Sequence, residues 1–301
     1  MSSLQNPEMN LLFATRFSEA CFQAIRGVAQ WMDDVSSSLT ILHMYDPRKT
    51  NELDAEAQLY SFFAEADRYR HTRRVLVAGS DAGRTIADYL KTHSYDMVIS
   101  PKTDRVGLPR PLHRSTRARL LAATQSTLWT MGQAMDHRRF MRPRRVGCVI
   151  SRQSDSYRPL ELACEYALRT GATLQLMYLV PEVHEGMLRN ALCFNEPLTE
   201  AVAIEDLQRI AALLPVTPEL HVTLGTDTSS VMRLLDRART DVLFAGKQQA
   251  TQSVLWLPEM QPFVDQAKCP VVCVDHDRSL PGWALALPQS REDSRRLVAT
   301  A

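Results

Sequence analysis

The sequence predicts an α/β protein made of two doubly wound parallel sheets of five strands each. Two observations carry that expectation. The first is an internal echo: residues 38–45, SLTILHMY, read against Thr173–Val180, TLQLMYLV, and residues 94–100, SYDMVIS, read against 239–245, RTDVLFA. The second is alternation. In each half, short apolar runs alternate with segments of helical period, the pattern of parallel strands joined by crossover helices that cover both faces of a sheet. The strand runs are almost continuously apolar, as strands buried on both faces are.

The echo is long-range and nearly gapless. Setting His43 against Tyr178 gives an offset of 135 residues, which also lays Leu11 on Val146 and Trp31 on Tyr166; setting Asp96 against Asp241 gives 145. The second copy therefore carries about ten extra residues, an ordinary difference between surface loops, and residues 184–197, which have no clear period, are the natural place for them. Solenoid repeats run at about 20–50 residues, so a repeat of this length reads as domain duplication. The expected division is a first domain at 1–136, a basic linker at 137–144, a second domain at 145–275 and a tail at 276–301. The tail is polar apart from one apolar patch from Trp283 to Leu287.

In the first copy, residues 10–15 form a buried strand, after which Ser18 caps a helix whose apolar face holds Ala24, Ile25, Val28 and Trp31. A second strand follows at 38–45. The helix expected at 52–70 turns Leu59, Phe62, Phe63 and Ala66 to one side. The third strand is 74–78, and Gly79-Ser80-Asp81 forms a turn that opens a helix through Leu90. A fourth strand at 97–100, a helix at 113–123 and a fifth strand at 127–131 complete the copy. The second copy repeats the order: strand 146–151, helix 159–169, strand 173–180, helix 199–214, strand 219–224, helix 229–238, strand 241–245, helix 260–267 and strand 270–274.

Composition narrows the function classes. The chain has 301 residues, 45% hydrophobic and 23% charged, with a net charge of +1. These are the proportions of a globular protein with room for one large or two ordinary cores, and the near-neutral balance removes any global pull toward nucleic acid or membrane. No run approaches the roughly 20 apolar residues of a transmembrane helix. The N-terminus lacks the basic and apolar regions of a secretory signal. Cys21, Cys148, Cys164, Cys193, Cys269 and Cys273 follow no metal-binding or redox spacing. A reducing cytoplasm is the expected compartment, and no metal site is expected.

Several pieces, taken in order, resemble the universal stress protein family in its tandem-domain form. Leu11-Leu-Phe-Ala-Thr-Arg16-Phe-Ser18 is similar to that family's first strand and turn, and Leu42-His-Met-Tyr-Asp-Pro47 to its second strand. Residues 79–86, GSDAGRTI, resemble its third-strand exit; Asp96-Met-Val-Ile and Asp241-Val-Leu-Phe resemble its fourth strand, and Cys269-Pro-Val-Val-Cys-Val274 its last. The likeness spans residues 9–131 and 144–275. It implies an adenine nucleotide alpha hydrolase-like fold in each half. It also implies that the last strands pair, so that one chain could form the pseudo-dimer that other members build from two; a further dimer of chains is compatible with it.

Members of the family that bind ATP are expected to carry an Asp at the end of the first strand and Gly-x2-Gly-x9-Gly-[Ser/Thr] after the fourth. Glycines let backbone N–H groups approach phosphate, and the following helix N-terminus favours negative charge. Here the acidic position is Arg16 in the first copy and Ser151 in the second. The first copy's glycine positions hold Pro101, Asp104 and Arg114, and only Ser115 matches. The second copy keeps Gly246, but Gln249 and Leu257-Pro258 stand at the remaining positions. Proline removes a donor where one is needed, and Asp104 would repel phosphate. The resemblance therefore implies a non-enzymatic stress-response or regulatory protein that acts through protein partners and does not depend on ATP. No cofactor is expected, with ATP or AMP as the weaker alternative. That alternative is a nucleotide or anion binder using Arg16, Arg114, Ser115, Ser151, Gly246 and Lys247.

The loop after the first copy's fourth strand is basic, with Lys102, Arg105, Arg110, His113, Arg114, Arg117 and Arg119. Clustered arginine recognises phosphate, and cations at a helix N-terminus oppose its dipole, which favours a functional reading. The plainer reading is a solvated helix start. No aromatic residues are interleaved for base stacking, so nucleic acid is not the expected partner. A second basic run at 137–145 reads as a solvated connector. His43 has no signalled nucleophile or carboxylate beside it and is expected to be half-buried and satisfied. No nucleophile elbow, Walker loop or zinc-protease motif is present.

Overall fold

A computed structural model describes residues 9–33, 37–68, 71–101, 116–124, 126–131, 143–150, 157–180, 200–225, 227–247, 264 and 266–275. In the first copy these form β1 (Met9–Thr15), α1 (Glu19–Asp33), β2 (Ser37–Tyr45), α2 (Glu52–Ser61), β3 (Thr72–Ala78), α3 (Ala82–Thr92), β4 (Met97–Ser100), α4 (Thr116–Ala123) and β5 (Thr127–Thr130). In the second they form β6 (Arg145–Ile150), α5 (Arg158–Thr170), β7 (Thr173–Val180), α6 (Glu200–Ala211), β8 (Glu219–Leu224), α7 (Thr228–Ala238), β9 (Val242–Gly246) and β10 (Val271–Val274). The expected α/β architecture with five strands per copy is present. The expected linker before Pro143, the long insertion at 184–197, most of the helix at 260–267 and the tail from 276 lie outside the described residues.

Strand order is the same in each copy: β3-β2-β1-β4-β5 in the first and β8-β7-β6-β9-β10 in the second. The chain thus winds outward from the first strand and then reverses to its other side, which places a topological switch beside β1 and β6. The ladders of the first copy are parallel, as in β1–β2 with Leu11 against Leu39, and so are β6–β7, with Cys148 against Leu176, and β7–β8 in the second. The chain clusters into two compact units. One comprises Met1–Pro143, Asp241–Leu243 and Lys247–Asp275; the other comprises Arg144–Thr240, Phe244–Gly246 and His276–Ala301. The first unit therefore includes β10, which runs antiparallel to β5 with Val271 against Thr130 and Cys273 against Leu128. This is the pairing of last strands implied by the resemblance.

The cores follow the apolar runs. Leu11, Leu12 and Phe13 of β1 are fully buried, as are Leu39 and Ile41 of β2; in the other unit Val146 and Cys148 of β6 and Leu176 and Met177 of β7 are fully buried. Ala24, Ile25 and Val28 face inward from α1 as expected, and the Ser18 hydroxyl accepts from Cys21 N at 3.3 Å as its cap. Cys21, Cys148, Cys164, Cys269 and Cys273 are all buried free thiols, and burial pushes the Cys148 and Cys273 thiols well up in pKa.

One element departs from expectation. The helix predicted over 52–70 stops at Ser61, and a 3₁₀ turn, Ala64–Arg68, follows. Between them Phe63 takes a left-handed φ of 52°, a conformation costing a bulky residue about 1–2 kcal/mol. Arg74 on β3 offsets that cost: its Nη2 donates to Phe63 O at 3.4 Å and its Nη1 pairs with Asp67. The break keeps Leu59, Phe62, Phe63 and Ala66 all buried, so the apolar side was placed correctly while the helix itself was overextended.

Polar groups at the N-terminal ends of the strands are held by a network in each copy. In the first, Arg73 Nε donates to Thr40 Oγ1 at 3.2 Å, Arg73 Nη2 donates to Tyr95 OH at 3.0 Å, and Tyr95 OH donates to Thr40 Oγ1 at 3.3 Å. In the second, Gln175 Nε2 donates to Glu219 Oε2 at 2.8 Å and to Ala238 O at 2.9 Å, while Thr240 Oγ1 donates to Gln175 Oε1 at 2.9 Å. Thr40 pairs with Arg73 in the ladder and Gln175 pairs with Glu219, so the networks occupy equivalent places.

Candidate functional site

The C-terminal ends of the strands are where doubly wound sheets bind ligands. At the end of β1, buried Thr15 is followed by exposed Arg16 and then by Phe17, which has φ 60°. Left-handed backbone at a bulky side chain is uncommon, and here it is fastened from several sides. Phe17 N donates to Thr15 Oγ1 at 3.1 Å. The Phe17 ring lies 4.1 Å from the His43 ring and 5.6 Å from that of Phe62, which also meets Phe22 at 4.6 Å and Phe13 at 6.2 Å. The chain reverses after β1 by folding an aromatic side chain back over the ends of β1 and β2.

His43 is half-buried, and its Nδ1 donates to Thr15 O at 3.1 Å. Burial lowers its pKa, the Thr15 bond opposes that shift, and the Arg16 guanidinium adds to it. The ring is thus a neutral packing partner of Phe17, matching the expectation of a satisfied histidine. Nothing in the local sequence marks Phe17 except a bulky residue directly before a capping serine, so the sequence reading missed it.

Two copies of one turn leave the third strand of each half. Gly79 N donates to Tyr45 O at 2.9 Å, and Gly225 N donates to Val180 O at 2.8 Å. Asp81 then caps α3 by accepting from Arg84 N at 3.0 Å, and Asp227 caps α7 by accepting from Ser229 N at 3.0 Å and Ser230 N at 3.3 Å. The Ser229 and Ser230 hydroxyls also donate to this carboxylate, and they, more than the backbone bonds, hold the Asp227 carboxyl down at about 2. A β-carbon at Gly79 would sit 2.1 Å from Thr85 Oγ1, and one at Gly225, whose φ is 91°, would sit 2.5 Å from Ser230 Oγ.

The candidate anion-binding residues meet different fates. Arg16 is exposed beside the aromatic cluster. Arg119, one of the basic-patch residues, forms an ion pair with Asp81 at 2.9 Å, and its aliphatic stem lies over Gly83, where a β-carbon would meet its Cδ at 2.9 Å. The carboxylate that caps α3 thus has a cation from another helix beside it. Gly246 is the last, half-buried residue of β9. Lys247 is only 6% exposed, and its ammonium donates to Thr124 O at 2.9 Å and Ser126 O at 2.6 Å. Burial lowers its pKa, with Asp275 and Cys273 opposing. Lys102, Arg105, Arg110, Arg114, Ser115 and Ser151 lie outside the described residues, and of Arg117 only the helical backbone is described. A structural role for Lys247 had one sequence signal: at the offset of 145, lysine recurs as Lys102 and Lys247.

Among the described residues, no three His, Cys, Asp or Glu side chains are grouped to hold a metal ion, and no helix is long and apolar enough to cross a membrane.

No protein-family model matches the sequence, and no curated protein matches it significantly. Solved structures do match. A universal stress protein from Archaeoglobus fulgidus DSM 4304 is similar with a TM-score of 0.62 at 14% identity, covering 89% of this chain and 96% of that one. A provisionally assigned universal stress protein from Pseudomonas aeruginosa UCBPP-PA14 gives 0.63 at 14% identity, covering 89% and 94%. A protein of unknown function from Pseudomonas aeruginosa PAO1 gives 0.61 at 14% identity, covering 98% and 100%. The fold is therefore that of the universal stress proteins, an α/β fold of the adenine nucleotide alpha hydrolase-like type. The likeness extends over nearly the whole two-copy chain.

Proposed function

We propose that this chain is a universal stress protein of the tandem form, a non-enzymatic stress-response or regulatory protein of the cytoplasm that acts through protein partners without depending on ATP. The observation that supports this most directly is the end of β1. Where the resemblance expects a carboxylate facing a ligand, exposed Arg16 stands and the Phe17 ring covers the strand ends against His43 and Phe62. A nucleotide entering there would have to displace a ring held between two aromatic neighbours, on a backbone fixed by a hydrogen bond to Thr15. Lys247, the cation nearest the surviving Gly246 in sequence, is already committed to two carbonyls.

The test is a search for bound nucleotide by two routes. Mass spectrometry of small molecules released from the purified, denatured protein should find no stoichiometric nucleotide. Calorimetry with ATP, AMP and cyclic AMP should find no binding tighter than about millimolar, a free energy of roughly −4 kcal/mol. Micromolar binding of any of them would overturn the reading in favour of a nucleotide binder with non-standard residues.

A further inference from the structure

Two four-residue strands, β5 and β10, form the antiparallel ladder of the first unit. Their sequences, TLWT and VVCV, are apolar at almost every core position, and seven of the eight residues are buried. A slip of two residues returns every side chain to the same face, so the alternation of faces alone does not choose between registers two residues apart.

The ladder is tied at both ends. At one end the Thr130 hydroxyl donates to Val271 O at 3.2 Å. At the other, where β5 begins and β10 finishes, Lys247 contacts both strands' flanks. Its backbone N donates to Val274 O at 2.6 Å, and its ammonium donates to Thr124 O at 2.9 Å and Ser126 O at 2.6 Å. We propose that Lys247 is a register lock, a single residue that fixes where β5 lies along β10 by holding the last residue of β10 and the turn before β5 at once.

The chemistry suits the task. Carbonyl oxygens only accept, and an ammonium brings three donors on a four-carbon stem. A two-residue slip would move Thr124 and Ser126 by about 6–7 Å along the strand direction, beyond hydrogen-bond reach of the ammonium. The buried charge would then be stranded, a state far costlier than an unpaired neutral group. The slipped register is thus penalised at Lys247, over and above the repacking it demands of Leu128 and Trp129. A buried cation is a poor source of stability but a good discriminator between packings.

Peptide-resolved hydrogen exchange on the full-length protein tests this with Lys247→Met, which keeps the apolar stem, and Lys247→Gln, which keeps a donor. Lys247→Met should speed exchange at 127–130 and 271–274 by about tenfold or more, the loss expected for a hydrogen bond from a charged group. Exchange in β6 and β7 should stay within about twofold on the same scale. Lys247→Gln should fall between wild type and Lys247→Met. Wild-type exchange at those two strands in either variant overturns the proposal. So does an equal acceleration in β6 and β7, which marks general destabilisation, or failure of both variants to fold, which would make Lys247 a requirement of the core.

Discussion

The two copies meet the same problems in two places, and answer one with the same residues and the other with different ones. At the turn after the third strand they use the same residues: Gly79 with Asp81, and Gly225 with Asp227, each glycine bonded to the end of the neighbouring strand and each carboxylate capping the next helix. At the base of the sheets the residues differ entirely. Thr40, Arg73 and Tyr95 stand in one copy where Gln175, Glu219 and Thr240 stand in the other. The difference teaches which constraint is geometric and which is chemical. The turn leaves little room for a β-carbon, which would press on the Thr85 side chain at position 79 and on Ser230 at position 225. The base needs its buried donors and acceptors matched, and several side-chain sets can do that.

The comparison breaks first at the turn. Gly225→Ala adds a clash with Ser230 to a left-handed backbone, and should cost about 2–4 kcal/mol in denaturant unfolding. Gly79→Ala faces the Thr85 side chain alone and should cost about 1–2 kcal/mol. Equal costs would show that backbone conformation, and not space alone, is shared by the two turns. A smaller effect is expected at the base. Gln175→Leu removes one side chain that serves Glu219, Ala238 and Thr240, and should cost about 2 kcal/mol, against about 1 kcal/mol for Tyr95→Phe, which removes one hydroxyl. The reverse ranking would mean that the Arg73 network carries more of the burial than the Gln175 one.

The smallest expected effect concerns the aligned positions His43 and Tyr178. The folded-state pKa of His43 lies below its ordinary value of 6.5, so between that value and the lower folded one the unfolded chain binds a proton that the native chain refuses. Stability should therefore fall as pH drops below about 6.5. His43→Tyr, which borrows the second copy's residue, should flatten that part of the profile. Unfolding curves at pH 7.5 and 5.5 for both proteins check it, and an unchanged pH slope in the variant would remove His43 as its source.

Much of the fold was legible because local and global signals agree. The strands Thr173–Val180 and Glu219–Leu224 were bounded correctly from apolar runs flanked by turn residues. The helix over 52–70 is overextended because Leu59, Phe62, Phe63 and Ala66 keep a helical period straight through the break; the groups that hold the break, Phe63 O and Asp67, meet Arg74 on the next strand. The candidate site was less legible for a similar reason. Arg119 reads in sequence as one cation among many opposing a helix dipole, yet Asp81, 38 positions earlier, faces it across two helices. Lys247 reads as a phosphate ligand beside a surviving glycine, and its carbonyl partners lie more than a hundred residues away. Spatial pairing of this kind leaves no local periodicity to detect.

The buried thiols have a practical consequence. Cys21 sits in α1, Cys148 in β6, Cys164 in α5, and Cys269 and Cys273 beside and within β10, all sealed in the native state. Each reacts with an alkylating reagent only when its own neighbourhood opens, and raised thiol pKa values at Cys148 and Cys273 keep the closed form inert. The protein therefore carries its own set of clocks. Mass-resolved alkylation rates, peptide by peptide, would time the opening of the first copy's helix, the second copy's inner strand and the β5–β10 ladder in one unlabelled sample.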